Sequence, residues 1–343
     1  MNPLAADLDH ILTHTAGLWE DLRGRRLLIT GGTGFFGCWL LESFVWANDK
    51  LGLDASVLVL TRDPAAFHKK APHLAGHPAI QFHPGDVRDF QFPEGEYSHV
   101  IHAGTTSSAP VEPGEMFDTI VWGTRRVLDF AASHGTRKLL FTSSGAVYGR
   151  QPSDLTHVPE DYAGAPDPLD SASAYGEGKR AAELLCGLAG RKHGFETKIA
   201  RCFAFVGPYL PLDAHFAIGN FVRDGLSRGP IRVGGDGTPY RSYLYAADLA
   251  VWLWTTLVRG QAGCAYNIGS DADLTIAQLA RLVAEVVNSG AEVTIAQSSD
   301  PAKPPQRYVP SIDRARKELG LEPWVPLREG VRRLADWHRN LKA

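Results

Sequence analysis

The sequence predicts an α/β fold: a doubly wound parallel sheet joined to a smaller C-terminal α/β lobe. Three observations carry this. Short runs that are apolar on both faces, such as RLLIT (26–30), SVLVLT (56–61) and KLLFTSS (138–144), alternate with amphipathic helical stretches; strands of that kind lie in a sheet covered on both sides. A glycine cluster, GGTGFFG (31–37), stands directly between the first such run and a long helical stretch. The alternation then breaks after residue 207, where loops rich in proline and glycine begin.

Taken in order, Leu4, Leu8, Ile11 and Leu12 recur at helical spacing, so residues 1–24 begin with a short amphipathic helix that lies on the body or meets a partner. Residues 25–207 form the main domain. Its strands are RLLIT, SVLVLT, AIQFHPGDV (79–87), SHVIHAG (98–104), KLLFTSS and TKIARCFAFVG (197–207). Helices fill the gaps, notably 117–135 and 173–194, each ending at a glycine stop. Residues 208–343 are mainly the second lobe, with helical stretches at 246–259, 274–288 and 312–319. Segments at about 240–270 return to the main domain, AYNIGS (265–270) rejoining its sheet.

Composition excludes several classes. A net charge of −3 leaves no basic footprint for nucleic acid. No apolar run is long enough to span a bilayer, and MNPLAADLDHILTHT has neither the charged nor the apolar region of a secretory signal. Cys38, Cys186, Cys202 and Cys264 are scattered, without a C-x-x-C pair. That spacing argues against a metal site or disulfide framework and suits a reducing cytoplasm.

The glycine cluster is the first functional signal. Gly31, Gly34 and Gly37 form G-x-x-G-x-x-G between a strand and a helix. The turn must be tight, the backbone must approach a pyrophosphate, and the helix must pack on its strand, with the helix N-terminus offering N–H groups to phosphate. This is the context of a Rossmann-type dinucleotide site. The end of the second strand chooses the dinucleotide. Arg62 offers a planar fork suited to a 2′-phosphate and favours NADP(H); Asp63, turned inward, would take the ribose hydroxyls of NAD. Asp86, in GDV, faces the adenine or serves as a turn aspartate.

Together TGGTGFFG, GDV, HAG, FTSSGAVYG, YGEGK, RCFAFVGP and GDGTPYRSYLYAADLA stand in an order that resembles the extended short-chain dehydrogenase/reductases of the nucleotide-sugar epimerase/dehydratase family, over nearly the whole chain. The resemblance implies that Ser144, Tyr175 and Lys179 are catalytic. It implies that Thr33, Phe35, Phe36, Val87, His102, Ala103, Gly104 and Thr142 join the glycines around the dinucleotide. It also implies a nucleotide-sugar substrate held by the smaller lobe, and a homodimer formed by helices at about 117–134 and 173–193.

Chemistry reaches the same residues. A phenol, with a reference pKa of about 10, is a poor base at neutral pH. Lys179 lies one helical turn after Tyr175, and its ammonium, with a positive nicotinamide, would favour the phenolate. A shift of about three units needs roughly 4 kcal/mol. Ser144 would fix the substrate oxygen while Tyr175 exchanges its proton.

Gly145 and Ala146 narrow the reaction. By the resemblance, 4,6-dehydratases carry an Asp-Glu pair at these positions, and decarboxylases a glutamate at the second; neither residue here can move a proton. What remains is carbonyl/alcohol redox. The leading expectation is NADP-dependent reduction of a nucleotide-linked 4-keto-6-deoxy sugar, such as dTDP-4-keto-6-deoxyglucose. The alternatives are an NAD-dependent 4-epimerase and a non-catalytic dinucleotide sensor. Ala204 and Ile120 replace asparagines usual in the family, and DPAKPPQRY (300–308) replaces its R-P-G-D pattern. Asn220, Arg241 and Arg307 are therefore the candidates for the diphosphate, with Gly145, Ala146 and Ser144 beside the sugar. His215 either protonates a ring carbon or is an ordinary loop histidine.

Overall fold

The computed structural model describes residues 2–104, 111–214, 216–288, 290–300 and 302–341. Helix α1 (Ala5–His14) precedes β1 (Arg26–Thr30), α2 (Phe35–Leu51) and β2 (Ser56–Thr61). Two short helices, α3 (Pro64–Lys70) and α4 (Pro72–Ala75), lead to β3 (Ile80–Pro84) and β4 (His99–His102). Then come α5 (Pro113–Ser133), β5 (Lys138–Ser144), α6 (Ala174–His193), β6 (Glu196–Cys202) and β7 (Phe205–Val206). The rest of the chain supplies α7 (Ala217–Leu226), β8 (Ile231–Val233), β9 (Tyr240–Ser242), β10 (Leu244–Tyr245), α8 (Ala246–Arg259) and β11 (Ala265–Ile268). It ends with β12 (Asp273–Thr275), α9 (Ile276–Val287), β13 (Val293–Ile295), β14 (Arg307–Tyr308), α10 (Asp313–Leu319) and α11 (Leu327–Asn340).

Seven strands make one sheet in the order β11-β6-β5-β4-β1-β2-β3, and the pairs from β3 through β6 are parallel. Strand order reverses between β1 and β4, the point at which open α/β sheets bind ligands beyond their strand ends. The chain divides into two compact units. The first comprises Met1–Gly149, Ala165–Cys202 and Ala250–Tyr266; the second comprises Arg150–Gly164, Phe203–Leu249 and Asn267–Ala343.

The first unit is organised by burial of the strands and of one side of α5 and α6. Leu28, Val100, Leu139, Phe141, Phe130 and Val127 belong to one apolar cluster. Each such side chain contributes roughly 1.5–3 kcal/mol on burial. The N-terminal segment docks on this unit: Leu4, Leu8 and Ile11 are buried, and Trp46 Nε1 donates to Asp9 Oδ1 at 2.8 Å. The apolar stripe of α1 is thus used within the chain. Trp19 packs on Trp254 with ring centroids 5.0 Å apart, and Trp254 Nε1 donates to Ser43 Oγ at 2.9 Å.

Three boundaries differ from the sequence expectation. Helix α5 starts at Pro113 rather than 117, because proline suits the first helical turn and the Glu112 carboxylate accepts from Gly114 N at 2.9 Å. The third strand stops at Pro84, and the expected sixth strand stops at Cys202; Phe205 and Val206 pair instead with Leu244 and Tyr245 in a separate two-stranded sheet. Helix α11 was not anticipated: LREGVRRLADWHRN is dominated by charge, and only a narrow side bearing Val331, Leu334 and Ala335 is buried.

In the second unit, α9 carries a capping box: Thr275 Oγ1 accepts from Gln278 N at 3.1 Å and Gln278 Oε1 accepts from Thr275 N at 2.7 Å. A three-stranded sheet of order β12-β9-β14 brings Asp273, Tyr240, Arg241, Arg307 and Tyr308 side by side.

Candidate active site

The glycine loop has the geometry its spacing predicts. Gly31 has φ +71°, and a Cβ there would lie 2.4 Å from the Ala103 carbonyl oxygen, so the loop crosses β1 and β4 at the reversal point with no room for a side chain. A Cβ on Gly37 would lie 2.3 Å from the Gly32 backbone, which is the close packing of α2 against the loop. A Cβ on Gly34 would meet only the Gly31 carbonyl oxygen, at 3.4 Å, leaving the approach that a phosphate requires. Phe35 and Phe36 open α2, with ring centroids 5.8 Å apart. Thr33 offers its carbonyl to Lys70 Nζ at 2.8 Å, a cation that the sequence reading did not single out. A tight positive-φ turn, an unobstructed second glycine and a helix N-terminus together fit a dinucleotide pyrophosphate.

At the end of β2 the two candidates separate. Asp63 accepts from Ala66 N at 2.9 Å as the N-cap of α3, so its carboxylate is engaged locally. Arg62 is exposed. Asp86 pairs with Arg88 at 2.8 and 3.1 Å, and this hydrogen-bonded guanidinium holds its carboxyl below the usual range. Val87 lies against α5, where a Cβ on Gly123 would come within 2.7 Å of its Cγ1.

His102 ends β4 and is buried. Its Nδ1 pairs with Thr30 Oγ1 at 2.7 Å and its Nε2 with Thr124 Oγ1 at 3.0 Å. Burial pushes the imidazole down to about 3, helped by the Lys179 charge, so it is neutral and ties β4 to β1 and α5. Thr30 Oγ1 also accepts from Gly104 N at 3.0 Å, which fixes the Ala103–Gly104 backbone over the loop.

Ser144, Tyr175 and Lys179 converge beyond β5. Ser144 Oγ accepts from Ala146 N at 3.1 Å, capping the 3-10 turn Gly145–Tyr148, and hydrogen-bonds the Tyr175 phenol. Lys179 is 1% exposed, donates to the Thr142 carbonyl at 2.7 Å and stands 4.7 Å from the Phe141 ring centroid. Thr142 Oγ1 in turn donates to the His102 carbonyl at 3.3 Å. Burial lowers the Lys179 ammonium to about 8, opposed by the carboxylate of Glu183. Burial raises the Tyr175 phenol above its ordinary value, and the Ser144 hydrogen bond only offsets this in part. Lys179 Nζ stands 5.9 Å from the Tyr175 ring centroid. Gly176 sits against the turn, its Cβ position 2.8 Å from the Ala146 carbonyl oxygen, so α6 and the turn are in direct contact. Ile120 fills the contact of α5 with Gly178, at 3.3 Å from that Cβ position.

Asn220, Arg241 and Arg307, the candidates for the diphosphate, fall in the second unit. Asn220 lines a hollow of about 330 Å³ with Phe221, Arg232 and the Gly234–Gly235 backbone. Arg241 donates to the Tyr240 carbonyl at 2.7 Å and stands 5.8 Å from the Tyr308 ring centroid. Arg307 is ion-paired with Asp273 and stacked 4.1 Å from the Tyr240 ring, which spends its charge within the small sheet. His215 lies outside the described residues.

The family model described as the NAD dependent epimerase/dehydratase family matches residues 27–269. UDP-glucuronic acid decarboxylase 1 of Arabidopsis thaliana is 32% identical over 317 residues, covering 92% of this chain and 70% of that protein. Among solved structures, DesIV, a dTDP-glucose 4,6-dehydratase from Streptomyces venezuelae with NAD bound, superposes with a TM-score of 0.76 at 25% identity, over 92% of this chain and 97% of that one. A UDP-glucose 4-epimerase from Thermotoga maritima with UDP-glucose gives a TM-score of 0.77 at 21% identity, over 93% and 100% of the two chains, a likeness of fold. The fold and the glycine loop define a dinucleotide-dependent enzyme of the short-chain dehydrogenase/reductase type. This chain belongs to the NAD dependent epimerase/dehydratase family, and a nicotinamide dinucleotide is its cofactor. No helix among the described residues is long and apolar enough to cross a membrane.

Proposed function

We propose that the protein reduces a nucleotide-linked 4-keto-6-deoxy sugar, such as dTDP-4-keto-6-deoxyglucose, using NADPH. One observation carries the reading: Tyr175, hydrogen-bonded to Ser144, stands beside a turn whose Gly145 and Ala146 bear no acid or base. Elimination of water or of carbon dioxide needs a proton-transfer group there; reduction needs only a donor at the carbonyl oxygen. The reduced nicotinamide supplies a hydride. Ser144 orients the substrate carbonyl oxygen, and Tyr175 delivers its proton to that oxygen as it becomes an alkoxide. Lys179, held by the Thr142 carbonyl, keeps a positive charge beside the phenol and stabilises the phenolate left behind.

The preference for NADPH follows from the end of β2. Asp63 is engaged as a helix cap, so the carboxylate that would bind ribose hydroxyls is committed elsewhere, while Arg62 is exposed to meet a phosphate. The hollow at Asn220 suits the nucleoside, and Arg241 suits the diphosphate better than Arg307 does. We also read the chain as a cytoplasmic homodimer: Trp122, 59% exposed, with Leu184 and Leu188 forms an apolar face on α5 and α6.

The test is NADPH absorbance with a dTDP-4-keto-6-deoxy sugar. Steady oxidation with NADPH, and at least about tenfold less efficient oxidation with NADH, supports the proposal. Copurified NAD with interconversion of two sugars at C4 would replace it with the epimerase reading. Dinucleotide binding without turnover of any nucleotide sugar would leave the sensor.

A further inference from the structure

A clamp stands one helical turn beyond Lys179. Glu183 follows Lys179 by four residues, so both project from one side of α6. Its carboxylate accepts from Ser143 Oγ at 2.5 Å, and from Arg201 Nε at 3.0 Å and Nη2 at 2.7 Å. Arg201 lies on β6 directly across from Ser143 on β5. Its Nη1 donates to the Tyr148 hydroxyl at 2.9 Å, at the far end of the turn that carries Gly145 and Ala146. The pair is largely withdrawn from water, with the two side chains 16% and 14% exposed.

Such a pair adds little net stability, because the cost of desolvating two charges offsets their attraction. What it fixes is geometry. Three pieces meet at it: the helix bearing Tyr175 and Lys179, the strand end bearing Thr142 and Ser144, and the turn after Ser144. We propose that Glu183 is a positioning residue for the reaction, clamping α6 to the ends of β5 and β6 so that Ser144 and the Thr142 carbonyl are held against Tyr175 and Lys179. The inference rests on the reading of Ser144, Tyr175 and Lys179 as the reacting groups.

Glu183 has an electrostatic part as well. The groups acting on Lys179 are Glu183 and Cys186 from its own helix, Cys202 from β6 and His102 from β4. Burial raises both thiols, Cys202 to about 12, and keeps His102 uncharged, which leaves the Glu183 carboxylate, ion-paired with Arg201, as the opposing charge of this set. Its charge helps to keep the buried ammonium protonated.

Three variants test this. Glu183→Gln keeps the shape and the Ser143 hydrogen bond but loses the charge. It should lower kcat by about tenfold or more, leave KM within about threefold, and move the alkaline limb of the pH profile down by about half a unit. Glu183→Asp restores the charge and should return the limb toward its wild-type position. Arg201→Lys keeps the carboxylate but breaks the fork; kcat should fall with the limb unmoved. The Lys179 titration, followed by NMR of 13C-lysine in the protein without substrate, should shift in the same direction in Glu183→Gln. If Glu183→Gln does not fold, Ser143→Ala decides: kcat should fall with KM unchanged. A folded Glu183→Gln with wild-type kcat and an unmoved limb would overturn the inference, as would an unchanged kcat in Ser143→Ala. Loss of turnover in Tyr175→Phe alongside either result leaves the reductase reading standing; an active Tyr175→Phe removes that reading itself.

Discussion

Acidification offers a sharp probe of the interior, because two buried histidines at opposite ends of β4 resist protonation. His99 is enclosed between Ser98 Oγ at 2.9 Å and Asp21 Oδ2 at 3.0 Å, and burial lowers it to about 4 despite the carboxylate. His102, between Thr30 and Thr124, is lowered to about 3. In the unfolded chain both take up protons near pH 6.5. Their folded values lie below that, so the unfolded state binds more protons and stability falls as pH drops below about 6.5. Each unit of pH costs about 1.4 kcal/mol per histidine. At pH 5 the two together cost about 4 kcal/mol, a large share of the usual 5–15 kcal/mol. Paired carboxylates such as Asp86 add their own loss only at lower pH, below the ordinary carboxyl range. Urea unfolding at pH 7.5 and 5.0 measures the difference directly. A His99→Gln variant should lose about half of it. Stability equal at the two pH values to within about 1 kcal/mol would refute the reasoning.

Two further outcomes follow from the two units. Gly37→Ala places a methyl 2.3 Å from the Gly32 backbone, so α2 must move; thermal unfolding should register a loss of about 3 kcal/mol, and dinucleotide affinity by titration should fall more than about tenfold. Arg241→Ala removes a guanidinium that donates to the Tyr240 carbonyl and stands over the Tyr308 ring. It should raise KM for the nucleotide sugar by about tenfold to a hundredfold with a smaller change in kcat, read from steady-state kinetics.

The sheet and the glycine loop were legible because both are local. A strand buried on two faces must be apolar throughout, and a turn at φ +71° under the Ala103 carbonyl admits only glycine at Gly31. Tyr175 and Lys179 were legible for the same reason, since four residues on a helix fix their shared side. Polar pairing across the sheet was not. Glu183, Arg201, Ser143 and Tyr148 are joined only once β5, β6 and α6 are assembled, and the one hint in the sequence was an acid four residues after Lys179. Burial of the phenol, which raises its pKa, was not legible either, because it depends on how tightly α6 packs on the turn after Ser144. Helix α11 escaped because arginines and acids fill most of its surface and hide its buried stripe.

The central claim is that Tyr175 gives its proton to the substrate oxygen, oriented by Ser144 and supported by Lys179. The most direct measurement is single-turnover NADPH oxidation by Tyr175→Phe, with dinucleotide affinity measured on the same protein. The account predicts unchanged dinucleotide binding and a rate lower by about 100- to 10,000-fold. Turnover at the wild-type rate would contradict it.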